Sequence, residues 1–190
     1  MKNKFLWFFL FLFFFNNEAY VFEIKSIVTI DENNITNYDL QKSIELTELI
    51  QGRKISQFET RSILENTINL KIKEIELNKL EIEIKKENIN KKFNSIIKQI
   101  SNDKQINNEM KGLIYKQIET QERWNNLIFF KFRNKLEVNI NEINEIAKLR
   151  NLNNKQKEEL IFSEKNKKIN IISNTYFNEI KSKYLVKMIK

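Results

Sequence analysis

The chain of 190 residues contains no proline and only two glycines, Gly52 and Gly112. Tight turns depend on these residue types, because proline fixes φ and glycine adopts positive φ without strain. All-β sandwiches and barrels need many such turns, so the sequence argues against them. Apolar residues make up 41% and charged residues 31%, a balance that also argues against a disordered polyelectrolyte and a polytopic membrane protein.

The absence of histidine and cysteine removes several classes of active site at once. Neither a Ser-His-Asp nor a Cys-His nucleophile can be assembled, and a zinc site of thiolates and imidazoles is excluded. The remaining carboxylates do not converge either: Glu158 and Glu159 are adjacent and would point about 100° apart on a helix. We therefore predict no catalytic residue, no metal site and no cofactor, so that the protein is not an enzyme.

The net charge of +8 does not indicate a nucleic-acid-binding surface. A nucleic-acid-binding protein usually concentrates its cations on one face. Here lysine alternates with glutamate along the chain, as in residues 71–74 and 81–87, which is typical of a solvated surface. We expect no nucleic-acid partner.

The first residues are typical of a secretory signal peptide. Lys2 and Lys4 precede an uninterrupted apolar run over residues 5–15. Eleven helical residues extend about 16 Å, roughly half of a bilayer core, so the run is too short to span a membrane. We predict a signal peptide over residues 1–19, cleaved after Ala19, and a periplasmic protein with no stable membrane span after cleavage. The alternatives are a first helix of the fold and an uncleaved inner-membrane tether.

Apolar periodicity and turn residues predict a mainly α fold with a small N-terminal β-hairpin. A strand over residues 23–31 is followed by a turn and a short return strand at Ile35. Thr36 and Asp39 have the spacing of a capping box, so Asp39 should serve the helix terminus and Tyr38 should pack near it. The β-prone residues 184–189 could add a strand to the hairpin. Helices are predicted over residues 37–51 (ended by Gly52), 57–80, 86–100, from a cap at Ser101-Asn102-Asp103 to Leu113, 119–136, a short one capped by Asn141, and 164–182 after a polar connection at 151–157.

The segment SIVTIDENNITNYDLQKSIEL (residues 26–46) resembles the opening of the SurA-type periplasmic chaperones. The likeness extends over about residues 24–150, and LIFSEKNKKINIISNTYFNEIKSKYLVKMIK (residues 160–190) resembles the family's C-terminal helix and strand. Parvulin-type isomerase domains of that family use paired histidines, whereas this chain has none and has no room for such a domain after Leu152. The resemblance therefore implies a chaperone domain over residues 20–152 and a C-terminal helix and strand over 153–190 that pack back on it.

By this resemblance the protein is expected to be a chaperone, or holdase, that binds unfolded outer-membrane proteins through an apolar, aromatic-rich groove and has no isomerase activity. The helix at residues 119–136 supplies the candidate client contacts, because its consecutive aromatic residues cannot all face one core. The alternative for these rings is burial between helices. The alternative function is an envelope structural or adaptor protein that binds one folded partner. The candidate client-binding residues are Trp124, Phe129, Phe130 and Phe132.

Overall fold

A computed structural model describes residues 23–100 and 106–189, and over these residues the fold is mainly helical with one small sheet, as predicted. The predicted signal peptide and the predicted cap at Ser101-Asn102-Asp103 lie outside the described residues. The elements are β1 (Ser26–Ile30), β2 (Asn33–Thr36), α1 (Asn37–Gln51), α2 (Gln57–Lys79), α3 (Lys86–Ile100), α4 (Asn108–Phe132), a 3₁₀ turn (Arg133–Lys135), α5 (Ile140–Leu149), α6 (Asn154–Lys181) and β3 (Val186–Met188).

The sheet has the strand order β2-β1-β3, with both pairings antiparallel. The C-terminal strand therefore joins the N-terminal hairpin, as the β-prone residues at its end predicted. Val28 lies opposite Ile35 on one side and Met188 on the other. Asp31 has a φ of 48° in the hairpin turn, and its carboxylate accepts a hydrogen bond from the backbone N–H of Leu185 at 2.9 Å. The turn of the N-terminal hairpin is thus hydrogen-bonded to the residue that precedes the C-terminal strand.

Capping side chains fix the starts of the first two helices. The Thr36 hydroxyl accepts a hydrogen bond from the Asp39 N–H at 3.1 Å, and the Asp39 carboxylate accepts one from the Thr36 N–H at 2.8 Å. This is the capping box that the sequence predicted. Gly52 follows α1 with a φ of 68°, the left-handed conformation that favours glycine at this position. Ser56 and Glu59 form a second capping box at the start of α2.

Three predicted boundaries were wrong. α4 is one continuous helix from Asn108 rather than two, and Asn107 is its N-cap. The helix continues between Leu113 and residue 119 because Ile114 and Ile118 are buried there in the core. α5 is capped by Asn139, whose side chain accepts from two backbone N–H groups, and not by Asn141. α6 begins at Asn154, ten residues before the predicted start, because Asn153 and Gln156 form a capping box there.

Two hydrophobic clusters lie along α4. The tryptophan cluster surrounds the C-terminal half of α4 and packs it against the sheet, α2 and α6. The methionine cluster surrounds the N-terminal half and packs it against α1 and α3. The tryptophan cluster consists of Val28, Ile30, Ile35, Ile68, Ile72, Leu77, Trp124, Leu127, Ile128, Tyr176 and Ile180. The methionine cluster consists of Leu46, Ile89, Met110, Ile114 and Ile118.

Candidate functional site

The four candidate aromatic residues separate into two groups in the structure. Trp124 is completely buried, its indole N–H donates a hydrogen bond to the Ser173 hydroxyl at 2.9 Å, and its ring stacks on Tyr176 with centroids 5.7 Å apart. Phe132 is half-buried and meets Tyr176 edge to face at 5.3 Å. Trp124 therefore has no surface that a client could contact in the folded domain, because its ring fills the core between α4 and α6.

Phe129 and Phe130 lie on the outer face of α4 and form an exposed pair. Their exposed fractions are 43% and 72%, and their rings meet edge to face with centroids 6.3 Å apart. The neighbouring Ile128 points into the core, where it is 1% exposed. The expectation that these consecutive aromatic residues cannot share one core is confirmed, and this exposed phenylalanine pair is the part of the predicted site that remains accessible.

A groove between α1, α2 and α4 is a second candidate site. It encloses about 300 Å³ and opens beside β2. Its apolar floor is formed by Met110 and Ile35, which are buried, and by Leu70 and Leu113, which are half-buried. The groove forms because α1 and α4 both pack along α2 but contact each other only over a short stretch.

At one end of the groove, α1 is joined to the first turn of α4 by a polar cluster. The Tyr38 hydroxyl donates a hydrogen bond to the Glu109 carboxylate, and the Lys42 ammonium lies 3.3 Å from the same carboxylate and 2.9 Å from that of Glu45. The hydrogen bond from Tyr38 lowers the pKa of Glu109, and the one to Glu45 raises the pKa of Lys42. Both groups are consequently charged at neutral pH.

Along the α2–α4 side, the rim also carries both signs of charge. The Lys116 ammonium lies 2.8 Å from the Glu74 carboxylate, and the Lys71 ammonium lies 3.5 Å from it. Each carboxylate of these two rim clusters is therefore paired with at least one lysine. The rim has no surplus of one sign that would select a strongly charged ligand.

Small residues line the groove on all three helices. Ser43 on α1 donates a hydrogen bond to the Asp39 carbonyl at 3.0 Å, and Thr67 on α2 donates to the Ile63 carbonyl at 2.8 Å. Gly112 on α4 lines the groove, and a Cβ atom built there would have no heavy atom within 4 Å. The Thr67 hydroxyl also lies 3.1 Å from the Ser43 hydroxyl, so the two side chains join α1 to α2, and the open space lies beside Gly112 on α4.

Sequence reasoning did not find this groove. It assigned Asp39 to the helix cap, which the structure confirms, and Tyr38 to packing near that cap, whereas the Tyr38 hydroxyl holds Glu109 on α4. The signal in the sequence was the placement of small residues at positions 43, 67 and 112 on three different helices. Their convergence depends on how the helices pack, which a single sequence does not specify.

Within residues 23–100 and 106–189, no cluster of three or more acidic side chains could hold a metal ion. No helix in these ranges combines the length and apolar character needed to cross a membrane.

No model of a known protein family matches the sequence, and a search of the curated proteins returns no significant match. The function must therefore be inferred from the surface that the fold exposes and from its chemistry.

Proposed function

We propose that the protein is a periplasmic chaperone of the holdase type, which binds unfolded outer-membrane proteins and has no isomerase activity. The observation that carries this proposal is the exposed phenylalanine pair, Phe129 and Phe130. Burying a phenylalanine side chain is worth about 1.5–3 kcal/mol, and a substantial part of that gain is not realised at these two neighbouring positions, which stay 43% and 72% exposed. Adjacent exposed aromatic rings on a highly charged surface are typical of an interaction site.

The chemistry of the pair suits weak binding to many unfolded chains. Precursors of outer-membrane β-barrels present aromatic and aliphatic residues on alternate positions. A ring–ring contact contributes about 0.5–1.5 kcal/mol beyond burial and tolerates several geometries. Two rings can therefore hold a client segment without fixing one register. The order of elements supports the proposal too, since the returning C-terminal strand is what the SurA-type resemblance implied.

The proposal is tested by following the aggregation of an unfolded porin-like β-barrel protein as its denaturant is diluted. We expect stoichiometric amounts of the wild-type protein to suppress light scattering, and to do so equally at high salt, because the contacts are apolar. Bovine serum albumin is the protein control. No suppression at a tenfold excess would overturn the proposal, and an adaptor with one folded partner would then be sought.

A pair of variants assigns the activity to the exposed phenylalanine pair. The double variant Phe129→Ser/Phe130→Ser should lose most of the suppression and keep its helical circular dichroism, because both side chains are largely outside the core. The matched control is Phe58→Ser, which removes a ring that is 91% exposed in the first turn of α2. If Phe58→Ser reduced suppression as much as the double variant, the role of the pair would be refuted.

A further inference from the structure

We infer that the groove between α1, α2 and α4 is a pocket for one bulky apolar side chain of an extended polypeptide segment. The inference rests on the proposed function and names a second contact for the same class of client. The groove is separate from the exposed phenylalanine pair, since neither Phe129 nor Phe130 lines it. The two sites would engage different parts of one unfolded chain.

The size and floor of the groove fit a single large side chain. Its volume of about 300 Å³ is at the lower end of the range for ligand sites in proteins. The floor contains Met110, flanked by Leu70 and Leu113. Methionine is unbranched and polarizable, so it adapts to aliphatic and aromatic groups alike. Such a floor accepts many apolar side chains instead of one defined shape.

The charges on the rim favour a peptide backbone as the rest of the ligand. An extended backbone alternates N–H donors with C=O acceptors. The rim offers both partners, because the carboxylates of Glu74 and Glu109 can accept hydrogen bonds while the ammonium groups of Lys71 and Lys116 can donate them. A phosphate or nucleic acid would instead require a cluster of unpaired cations, whereas these lysines share the carboxylate of Glu74.

Gly112 provides direct access to the groove for a test. Because a Cβ at this position would meet open space, a larger side chain can be introduced without a clash in the backbone or core. In Gly112→Phe the ring would occupy the space proposed for the client side chain. In Gly112→Ala the groove would stay open, and the helix would be stabilised by the replacement of glycine.

The methionines provide the readout, because the chain has only three. Met110 lies in the floor of the groove, whereas Met188 lies in β3 and is 61% exposed. We would label the methionine methyl groups with ¹³C in protein expressed from the full sequence and titrate it with a short peptide that has one central phenylalanine among serines and threonines. Saturable shifts of the Met110 resonance, with Met188 unchanged, are expected. The Met110→Leu variant assigns the resonance.

Three controls decide the result. The same peptide with serine at the central position should leave Met110 unchanged. Gly112→Phe should weaken peptide binding about tenfold or more, a difference of at least ~1.4 kcal/mol, whereas Gly112→Ala should bind like the wild type. Circular dichroism checks that both variants are folded. Two results would overturn the inference. One is a Met110 resonance that the peptide leaves unchanged in the wild type, even if the cause is a segment of the chain itself that fills the groove. The other is wild-type affinity for the peptide in Gly112→Phe.

The outcomes separate this inference from the proposed function. Suppression of aggregation without any Met110 shift would leave the holdase proposal standing and remove the groove from it. A saturable Met110 shift without suppression would identify a peptide-binding groove in a protein that is not a holdase. Absence of both results would refute both.

Discussion

The tryptophan cluster and the methionine cluster share α4 but differ in how completely they are closed. Trp124, Ile72 and Leu77 have no exposed surface, since the sheet, α2 and α6 enclose them. The methionine cluster has α3 as its outer cover, and on that helix only Ile89 is buried. Four further apolar residues of α3 stay partly exposed: Phe93, Ile96, Ile97 and Ile100.

This difference indicates that the two halves of α4 have different roles. The C-terminal half of α4 lies in the larger cluster, where the side chains of Trp124, Ile72 and Leu77 are fully enclosed, and burial of such apolar surface stabilises the fold. The N-terminal half borders both the half-covered methionine cluster and the groove at Gly112. Regions with few fully buried contacts open at lower free energy than closed cores. The groove therefore lies in the part of the molecule that can adjust to different side chains.

The largest effect is expected from breaking the tryptophan cluster. Trp124→Ala removes a fully buried ring and the hydrogen bond to Ser173, and such truncations cost about 3–5 kcal/mol. Because small domains have a total stability of only about 5–15 kcal/mol, urea denaturation should show a large loss or an unfolded protein. Trp124→Phe, which keeps a ring, should lose much less. A loss below about 1 kcal/mol in the alanine variant would contradict a closed core.

A smaller and more local effect is expected from the methionine cluster. Ile89→Ala truncates the one buried residue of α3, at a cost of about 2–4 kcal/mol, and should loosen α3 from α4 before the rest unfolds. Hydrogen exchange should then accelerate in α3 while α2 stays protected. The exposed Asn94→Ala on the same helix is the control. Equal acceleration in α2 and α3 would show that the two clusters unfold as one unit.

The smallest effect concerns Lys73, a cation beside the tryptophan cluster. Its ammonium lies 5.3 Å from the ring centroids of both Trp124 and Phe177, and burial lowers its pKa. The pKa of Lys73 is thus lower in the folded protein than in the unfolded chain, where it is about 10.4. At pH values between the two, the unfolded state binds more protons than the folded state, so this group makes the free energy of unfolding rise with pH. The free energy of unfolding of the wild type relative to Lys73→Met should therefore increase as the pH rises toward about 10. A pH-independent difference would refute this.

Local signals in the sequence predicted much of the fold. The capping box at Thr36 marks the start of α1, and Gly52 in the left-handed conformation marks its end. Both signals lie next to the helix end that they define, so the predicted limits of α1 match the structure. Local signals were less reliable for α4, which continues across the interruption predicted between Leu113 and residue 119, because Ile114 and Ile118 pack into the core there. They also underestimate polar helical segments: the first two turns of α6 contain mostly exposed polar residues, and only the cap at Asn153 marks its start.

The candidate site was less predictable than the fold. Periodicity correctly indicated that the aromatic residues of α4 face different ways, but it did not separate the buried Trp124 from the exposed Phe130. That separation depends on where α6 lies, which is a contact between distant parts of the sequence. The groove depends in the same way on three helices meeting at Gly112, so no single segment contains its pattern.

The pairing of β3 with β1 has a consequence for how the chain is made. Leu185 and Asp31, which are hydrogen-bonded, are 154 residues apart along the chain. Contacts of such long sequence separation form late, since a large loop must close before they contribute any stability. During synthesis from the N-terminus, β1 and β2 emerge early, and one edge of β1 stays unpaired until β3 is made. The sheet is thus completed only when the last strand arrives, and a chain interrupted before β3 would expose that edge to aggregation.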